Sequence, residues 1–412
     1  HTTGILRNGD LWRNTWLEHF QAAGYYTVNI GKMHTEPMDT PAGFHERFNV
    51  ENKQRARQVP GVNQDYLDEW DRALGLRGHR RPTNKEYGEL PGYETCLGAF
   101  DWPWAPDLHP DTFVGNLANW WIDRKPVTQP LFLQIGFPGP HPPYDPLQEE
   151  AAAYMDKDLP ILAVAPGEME SQPPPLHDLR KLHMEVAPDS TLLRPDASMD
   201  DRRRQRAYYL ANQTMIDRKI GEILEKLRAR GYLDNAVVVF TSDHGDCLGD
   251  HGLSQKWSGY DQVTHVPLVL WGPGRVQAGK TVDGLVQQQD VVTALFDVAG
   301  MELPASLEVN SISAALQGES FAGRDAVFCE NGKERHMSNA FLSVARTTDW
   351  KLVHFLEGGY GQLFDLKNDP RELKNLWDDP GAGAQKREMM DRLFEWRMHS
   401  QIKTADWAAQ AR

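Results

Sequence analysis

Short apolar runs that stop abruptly in charged, Gly- or Pro-containing loops constrain this chain more than any other feature. Residues 26–30, 131–135 and 236–240, the last almost pure Val, have the length and β-branched character of buried strands. The loops that follow read Gly31-Lys32-Met33-His34, Pro138-Gly139-Pro140-His141-Pro142-Pro143-Tyr144 and Thr241-Ser242-Asp243-His244-Gly245. In open α/β sheets a ligand site lies beyond the carboxyl ends of the strands, so these loops are expected to gather in one place.

Helical periodicity falls between the runs. Ile216, Ile220, Ile223, Leu224 and Leu227 line one face of a helix predicted over residues 206–228, which leads through Gly231 into the Val-rich strand. A strand at 267–271 and a helix at 290–299 continue the alternation. The pattern predicts an α/β fold with a mostly parallel central sheet covered by helices on both faces. Residues 160–195 are Pro-rich with little apolar periodicity and read as a long surface excursion, a lid or edge insertion. After about residue 318 the texture changes to β runs at 340–346, 350–355 and 363–366 and a helix at 384–398, a small α+β subdomain with an antiparallel sheet. The expected domains are therefore 1–318 and 319–412.

Charge and cysteine content narrow the function. A formal charge of -14 argues against a nucleic-acid or anionic-membrane surface, so an anionic substrate needs a local positive pocket. The cysteines, Cys96, Cys247 and Cys329, are widely spaced and odd in number, which argues against a disulfide framework and a Cys-rich zinc site. They read as ordinary free thiols. No apolar run approaches the roughly 20 residues that span a bilayer, and no membrane partner is expected. The chain opens at His1 with neither Met nor a signal segment, and an upstream segment is expected to have been removed.

Lys32 and His34 sit two apart at a strand end, which places a cation and an imidazole on one side of the backbone, a clamp for a tetrahedral anion. Taken alone, the pair reads first as a surface lysine beside a loop histidine. Asp243 and His244 are a carboxylate and an imidazole suited to a divalent metal, although loops after buried strands often carry Asp for turn reasons. His141 lies between prolines that restrict its backbone and hence its ring direction. Lys256, Asp246 and Asp250 have the alternative reading of solvated charges. Trp120 and Trp121 read as packing residues on a helix, whereas Trp102 and Trp104, separated by Pro103, are candidates for a substrate rim.

The combination is more specific than its parts. Gly24-Tyr25-Tyr26-Thr27 leading into Gly31-Lys32-Met33-His34, then Pro140-His141-Pro142-Pro143-Tyr144, then Thr241-Ser242-Asp243-His244-Gly245-Asp246 through Gly249-Asp250-His251-Gly252-Leu253 to Lys256, occur in the order found in sulfatases. The tail, Leu363-Phe364-Asp365-Leu366-Lys367-Asn368-Asp369-Pro370-Arg371-Glu372, is similar to that family's C-terminal subdomain. Over nearly its whole length the chain resembles the type I, formylglycine-dependent sulfatases, arylsulfatase-like members of the alkaline phosphatase superfamily.

That resemblance implies an alkaline phosphatase-like fold and hydrolysis of a small-molecule or carbohydrate sulfate ester. It makes Asp243 and His244 metal ligands, with His244 where many relatives have Asn. Lys32 and His34 would hold sulfate and assist breakdown of a covalent intermediate. His141 and Lys256 would contact the sulfate and the leaving-group oxygen, with His141 the proton donor. His251, Trp102 and Trp104 are the candidate substrate contacts. An oxygen-rich site suits Ca2+, with Mg2+ or Mn2+ tolerated by His244.

The family's nucleophile, a Cys or Ser oxidised to formylglycine by a maturation enzyme, lies in a Cys/Ser-x-Pro-x-Arg stretch after a strand with paired aspartates. Neither occurs here, and both are expected upstream of His1. A doubly wound sheet without that strand would have an open interior edge. The competing readings are a phosphonate or phosphate ester hydrolase of the same superfamily and a non-catalytic carbohydrate-binding pseudoenzyme.

Overall fold

The computed structural model describes residues 15–35, 38–51, 68–125, 128–162, 164–334, 337–338 and 340–404. They fall into two compact units, one within His1–Leu162, Lys181–Leu233 and Leu248–Ser254, the other within Ala163–Arg180, Asp234–Cys247 and Gln255–Arg412.

The first unit is built on a parallel sheet. Strands β1 (Tyr26–Gly31), β2 (Glu46–Asn49) and β3 (Leu131–Gly136) lie in the order β2-β1-β3. Val28 and Ile30 of β1 are fully buried against Ala118, Trp121 and Ile122 of the helix Pro110–Arg124 and Ile223 of the helix Met199–Ala229. The other face is covered by the helix Leu17–Ala22, whose Phe20 meets Phe132 of β3 at a centroid distance of 5.5 Å. In β3 apolar side chains face both ways, Leu131, Leu133 and Ile135 to one side and Phe132 to the other, which gives a continuous hydrophobic run, whereas β1 alternates Val28 and Ile30 with the buried polar Thr27 and Asn29.

The second unit holds β4 (Val238–Thr241) and β5 (Leu268–Trp271), which pair antiparallel. Parallel return needs a long crossover, and the segment between these strands carries only a 3-10 turn and the four-residue helix Asp261–Thr264. Among the described residues β3 pairs only with β1 and β4 only with β5, so each keeps one unpaired edge. A second antiparallel sheet, β6 (Val327–Glu334), β7 (Ala340–Arg346), β8 (Trp350–Phe355) and β9 (Gly361–Asp365), runs in sequence order. The helix Gly383–Thr404 covers it, with Met389 and Leu393 packed on Ala345, Leu352 and Leu363.

Two readings of packing change. The Pro-rich excursion contains the helix Pro174–Glu185, with Leu176, Leu179 and His183 all fully buried. Proline at the start of a helix costs no hydrogen bond, so this cluster opens the element instead of breaking it. Trp121 is a core residue, but Trp120 on the same helix is 45% exposed, with Arg124 placed 5.2 Å above its ring. Adjacent helical positions point about 100° apart, so only one of the pair can face the sheet.

Candidate active site

Two of the predicted loops are brought together at the carboxyl end of the parallel sheet. β1 and β3 end in register at Gly31 and Gly136, and the Lys32 N–H donates to the Gly136 carbonyl at 2.7 Å. A Cβ on Gly31, whose φ is +101, would lie 2.0 Å from that oxygen, and a Cβ on Gly136 would lie 2.0 Å from the Lys32 carbonyl. Glycine at both ends is thus a steric requirement of the approach. It sets Lys32 and His34 beside the turn that carries His141.

That turn is fastened from below. The Gly139 N–H donates to Asp111 Oδ1 at 2.7 Å. Asp111 is fully buried in the first turn of the helix Pro110–Arg124, where the His109 ring caps the helix by accepting from the Asp111 N–H at 3.3 Å. The other nitrogen of His109, Nε2, lies 3.5 Å from Asp145. Asp145 also accepts from the Tyr87 hydroxyl at 3.2 Å, and burial with that carboxylate raises the Tyr87 pKa well above its usual value. No local sequence signal marked this network.

In the second unit Asp243, His244 and Lys256 share one loop system. The Gly245 N–H donates to the Val263 carbonyl at 2.9 Å, and a Cβ there would fall 2.0 Å from the Gln262 carbonyl. The chain then doubles back. Asp246 Oδ1 accepts the Gln255 N–H at 2.8 Å and the Gln255 carbonyl accepts the Cys247 N–H at 2.9 Å, which fixes the backbone next to Lys256. Gln255 and Trp257, on either side of Lys256, both have φ in the left-handed region, at 60 and 71. Such conformations cost energy and concentrate at functional sites.

The three candidate histidines share one device. His34 Nδ1 is 3.0 Å from Glu51 Oε2, His141 Nδ1 is 2.8 Å from the Pro142 carbonyl, and His244 Nδ1 is 2.8 Å from the Gly245 carbonyl. A carbonyl or carboxylate oxygen can only accept, so each Nδ1 carries the hydrogen and each neutral ring keeps its lone pair on Nε2. His244 Nε2 faces Asp243 Oδ2 at 3.4 Å. Two lone-pair atoms so placed call for a cation or a proton between them, and the Nδ1 anchor is the usual outer support of a metal-binding imidazole. The pair therefore fits a divalent ion, although among the described residues no group of three or more His, Cys, Asp or Glu is arranged to hold one.

Several candidates are placed elsewhere by burial. Trp102 is 7% exposed in an apolar cluster with Trp70, Leu74, Leu108 and Val114, so it is a core residue and not a substrate rim. Trp104 is half-buried, with its ring 4.8 Å from that of His79. His251 is fully buried and presents no surface to a substrate. Asp250 is not a solvated charge: Arg206 pairs with it at 2.8 Å and the Leu162 N–H donates at 3.2 Å, while burial still raises its pKa. Of the cysteines, Cys96 and Cys247 are buried, and burial pushes the Cys329 thiol up to about 11. A thiol so raised is a poor nucleophile at neutral pH.

A parallel sheet with charged loops at its carboxyl end, followed by an antiparallel C-terminal sheet, defines the alkaline phosphatase-like sulfatase fold. The sulfatase family model matches residues 3–301, and a second model, N-sulphoglucosamine sulphohydrolase C-terminal, matches residues 249–399. The chain belongs to the sulfatase family and is a hydrolase of sulfuric ester bonds. It is 28% identical over 371 residues to an arylsulfatase of Clostridium perfringens, covering 89% of this chain and 74% of that one. It is also 28% identical to the multifunctional alkaline phosphatase superfamily protein PehA of Trinickia caryophylli, covering 93% and 79%. The solved phosphonate monoester hydrolase SpPMH of Silicibacter pomeroyi matches with a TM-score of 0.75 at 21% identity, covering 96% of this chain and 82% of that one, a likeness of fold.

Proposed function

We propose that this protein hydrolyses a sulfate monoester of a small molecule or carbohydrate, with a formylglycine nucleophile supplied by sequence upstream of His1 and installed by a maturation enzyme. Asp243 and His244 would hold a divalent cation, Ca2+ before Mg2+ or Mn2+, which when bound stabilises negative charge on the sulfate oxygens. Lys32 neutralises a sulfate oxygen in a chain whose net charge would otherwise repel the substrate. His34 would assist breakdown of the covalent sulfate intermediate by taking on Nε2 the hydroxyl proton given up as sulfate leaves. His141, as the imidazolium, would donate from Nε2 to the leaving-group oxygen, and Lys256 is proposed as a further contact of the sulfate ester. The observation that carries the reading is that His34, His141 and His244 all commit Nδ1 to an acceptor-only oxygen, which leaves Nε2 as the working atom of each.

The decisive experiment is tandem mass spectrometry of the native protein, with turnover of an aryl sulfate measured on the same sample. An aldehyde-bearing residue upstream of His1 together with sulfate release supports the assignment; turnover unaffected by Lys32→Ala sinks it. The fold shared with the phosphonate monoester hydrolase SpPMH favours one second reading, phosphonate ester hydrolysis. A kcat/KM comparison on paired sulfate and phosphonate monoesters separates the two.

A further inference from the structure

We infer that Glu51 is a positioning residue that sets the tautomer of His34 and thereby makes His34 Nε2 a proton acceptor. The inference rests on the role given to His34 above. Glu51 grips its target at two points: Oε1 accepts the His34 backbone N–H at 2.9 Å and Oε2 accepts from Nδ1 at 3.0 Å. An ordinary surface ion pair touches side chains only and contributes little. Here one carboxylate holds both the main chain and the ring of a residue whose φ of 55 lies in the left-handed region. For a residue with a Cβ that conformation is unfavourable, and the backbone contact offsets it.

Glu51 is itself held from behind. Its N–H donates to Asp68 Oδ2 at 2.8 Å, and Asp68 is 2% exposed. Asp68 Oδ1 caps the helix Glu69–Leu76 by accepting the Asp71 N–H at 2.9 Å. Arg81 pairs with Asp68 and, at 3.1 Å, with Asp71, while its guanidinium lies 4.9 Å above the fully buried Trp70 ring. Trp70 Nε1 in turn donates to the Leu108 carbonyl at 2.9 Å. The Glu51 carboxylate is thus the outer end of a support that begins in the core. Glu51 has 14% of its side chain exposed, against 43% for His34, so the support is largely sheltered while the imidazole it aims reaches solvent.

The arrangement makes a chemical demand. Because the carboxylate only accepts, Nδ1 must carry the hydrogen, and a neutral His34 can take a proton only at Nε2. Replacing Glu51 with Gln keeps the shape and offers an amide N–H to Nδ1, which favours the opposite tautomer.

Long-range proton–nitrogen NMR of the full-length protein labelled with 15N-histidine reads the tautomer directly. The neutral wild-type ring is expected as Nδ1–H, and Glu51→Gln and Glu51→Ala are expected to shift it toward Nε2–H. In aryl sulfate turnover, kcat of Glu51→Gln should fall on the order of 10²–10⁴-fold, the range of a misprotonated general base, with KM within about threefold. Glu51→Asp should recover part of the loss. A wild-type Nε2–H ring overturns the inference without any variant having to fold. So does full kcat in Glu51→Gln alongside an active wild type. A wild type that releases no sulfate defeats the sulfatase reading instead, and the NMR tautomer still decides the Glu51 contact on its own.

Discussion

Lys351 should be among the most costly single side chains to remove from the second unit. Its ammonium is fully buried, 2.7 Å from Asp261 Oδ1 and 2.6 Å from Glu372 Oε1. Glu372 is 1% exposed, and its second oxygen accepts the Asp261 N–H at 2.7 Å. Lys351→Met keeps the volume and removes the charge, leaving two carboxylates facing each other, with the Arg346 guanidinium 3.5 Å from Asp261 as the remaining ion-pair partner among the described residues. Breaking a buried pair in this way costs about 3–5 kcal/mol, and urea unfolding should show a loss of that size. Neutralising the partners as well, in Lys351→Met/Asp261→Asn/Glu372→Gln, removes the stranded charges and should recover at least about half of it. The acid side gives a second readout. Burial raises the Asp261 pKa, but the Lys351 charge and hydrogen bond, helped by Arg346, hold it below the usual carboxylate value. The unfolded value is near 3.9, so this contribution is fully present above about pH 4 and is lost as pH falls through the lower folded value. In Lys351→Met the acid limb of the stability curve should flatten. A loss under about 1 kcal/mol, or a triple variant as unstable as the single one, would refute the reasoning.

Three other substitutions test separate parts of the structure. Trp102→Ala should cost about 3–5 kcal/mol in urea unfolding while leaving KM for aryl sulfate within about twofold, since the ring lies in the core; a raised KM with unchanged stability would restore the rim reading. Gly31→Ala should lose at least about 2 kcal/mol, because a Cβ cannot sit 2.0 Å from the Gly136 carbonyl oxygen, and wild-type stability would show that β1 and β3 do not approach as described. Burial and the 2.7 Å hydrogen bond to Asp101 push the Tyr208 hydroxyl up to about 12, so its contribution is intact below about pH 10 and lost as pH rises through about 12. Tyrosinate absorbance should lose a late-titrating group in Tyr208→Phe.

Elements with an apolar signature were legible in the sequence. β1, β3, β7 and β8 and the helices Met199–Ala229 and Gly383–Thr404 all follow predicted runs, because burial on one or both faces dictates the period of their side chains. β2 was not legible. Its residues Glu46-Arg47-Phe48-Asn49 show no alternation, since their polar groups are satisfied from neighbouring elements: Trp121 Nε1 and Lys125 Nζ each reach Glu46 at 2.7 Å. The loops that bear Lys32, His141 and Asp243 were found because each follows an unmistakable strand. The supports of those loops, Asp111, Asp145, Asp68 and Arg81, were not found, because each works across a sequence gap that leaves no periodic trace.

The three histidines show where that boundary lies. His141 and His244 take their Nδ1 acceptor from the carbonyl of the very next residue, so a Pro- or Gly-shaped backbone carries the information locally and a restricted loop is enough to aim the ring. His34 takes its acceptor from Glu51, a residue 17 positions away, whose own backbone hangs on Asp68 and Arg81. The Nδ1 contacts of His141 and His244 should therefore survive substitutions around Asp68, whereas that of His34 depends on a chain of contacts reaching the buried Trp70. Asp68→Asn, which weakens the Arg81 pair yet can still cap the helix, should consequently alter the His34 tautomer signal while leaving those of His141 and His244 in place. Equal changes in all three would mean a general loosening of the fold, and the separate support of His34 would have to be abandoned.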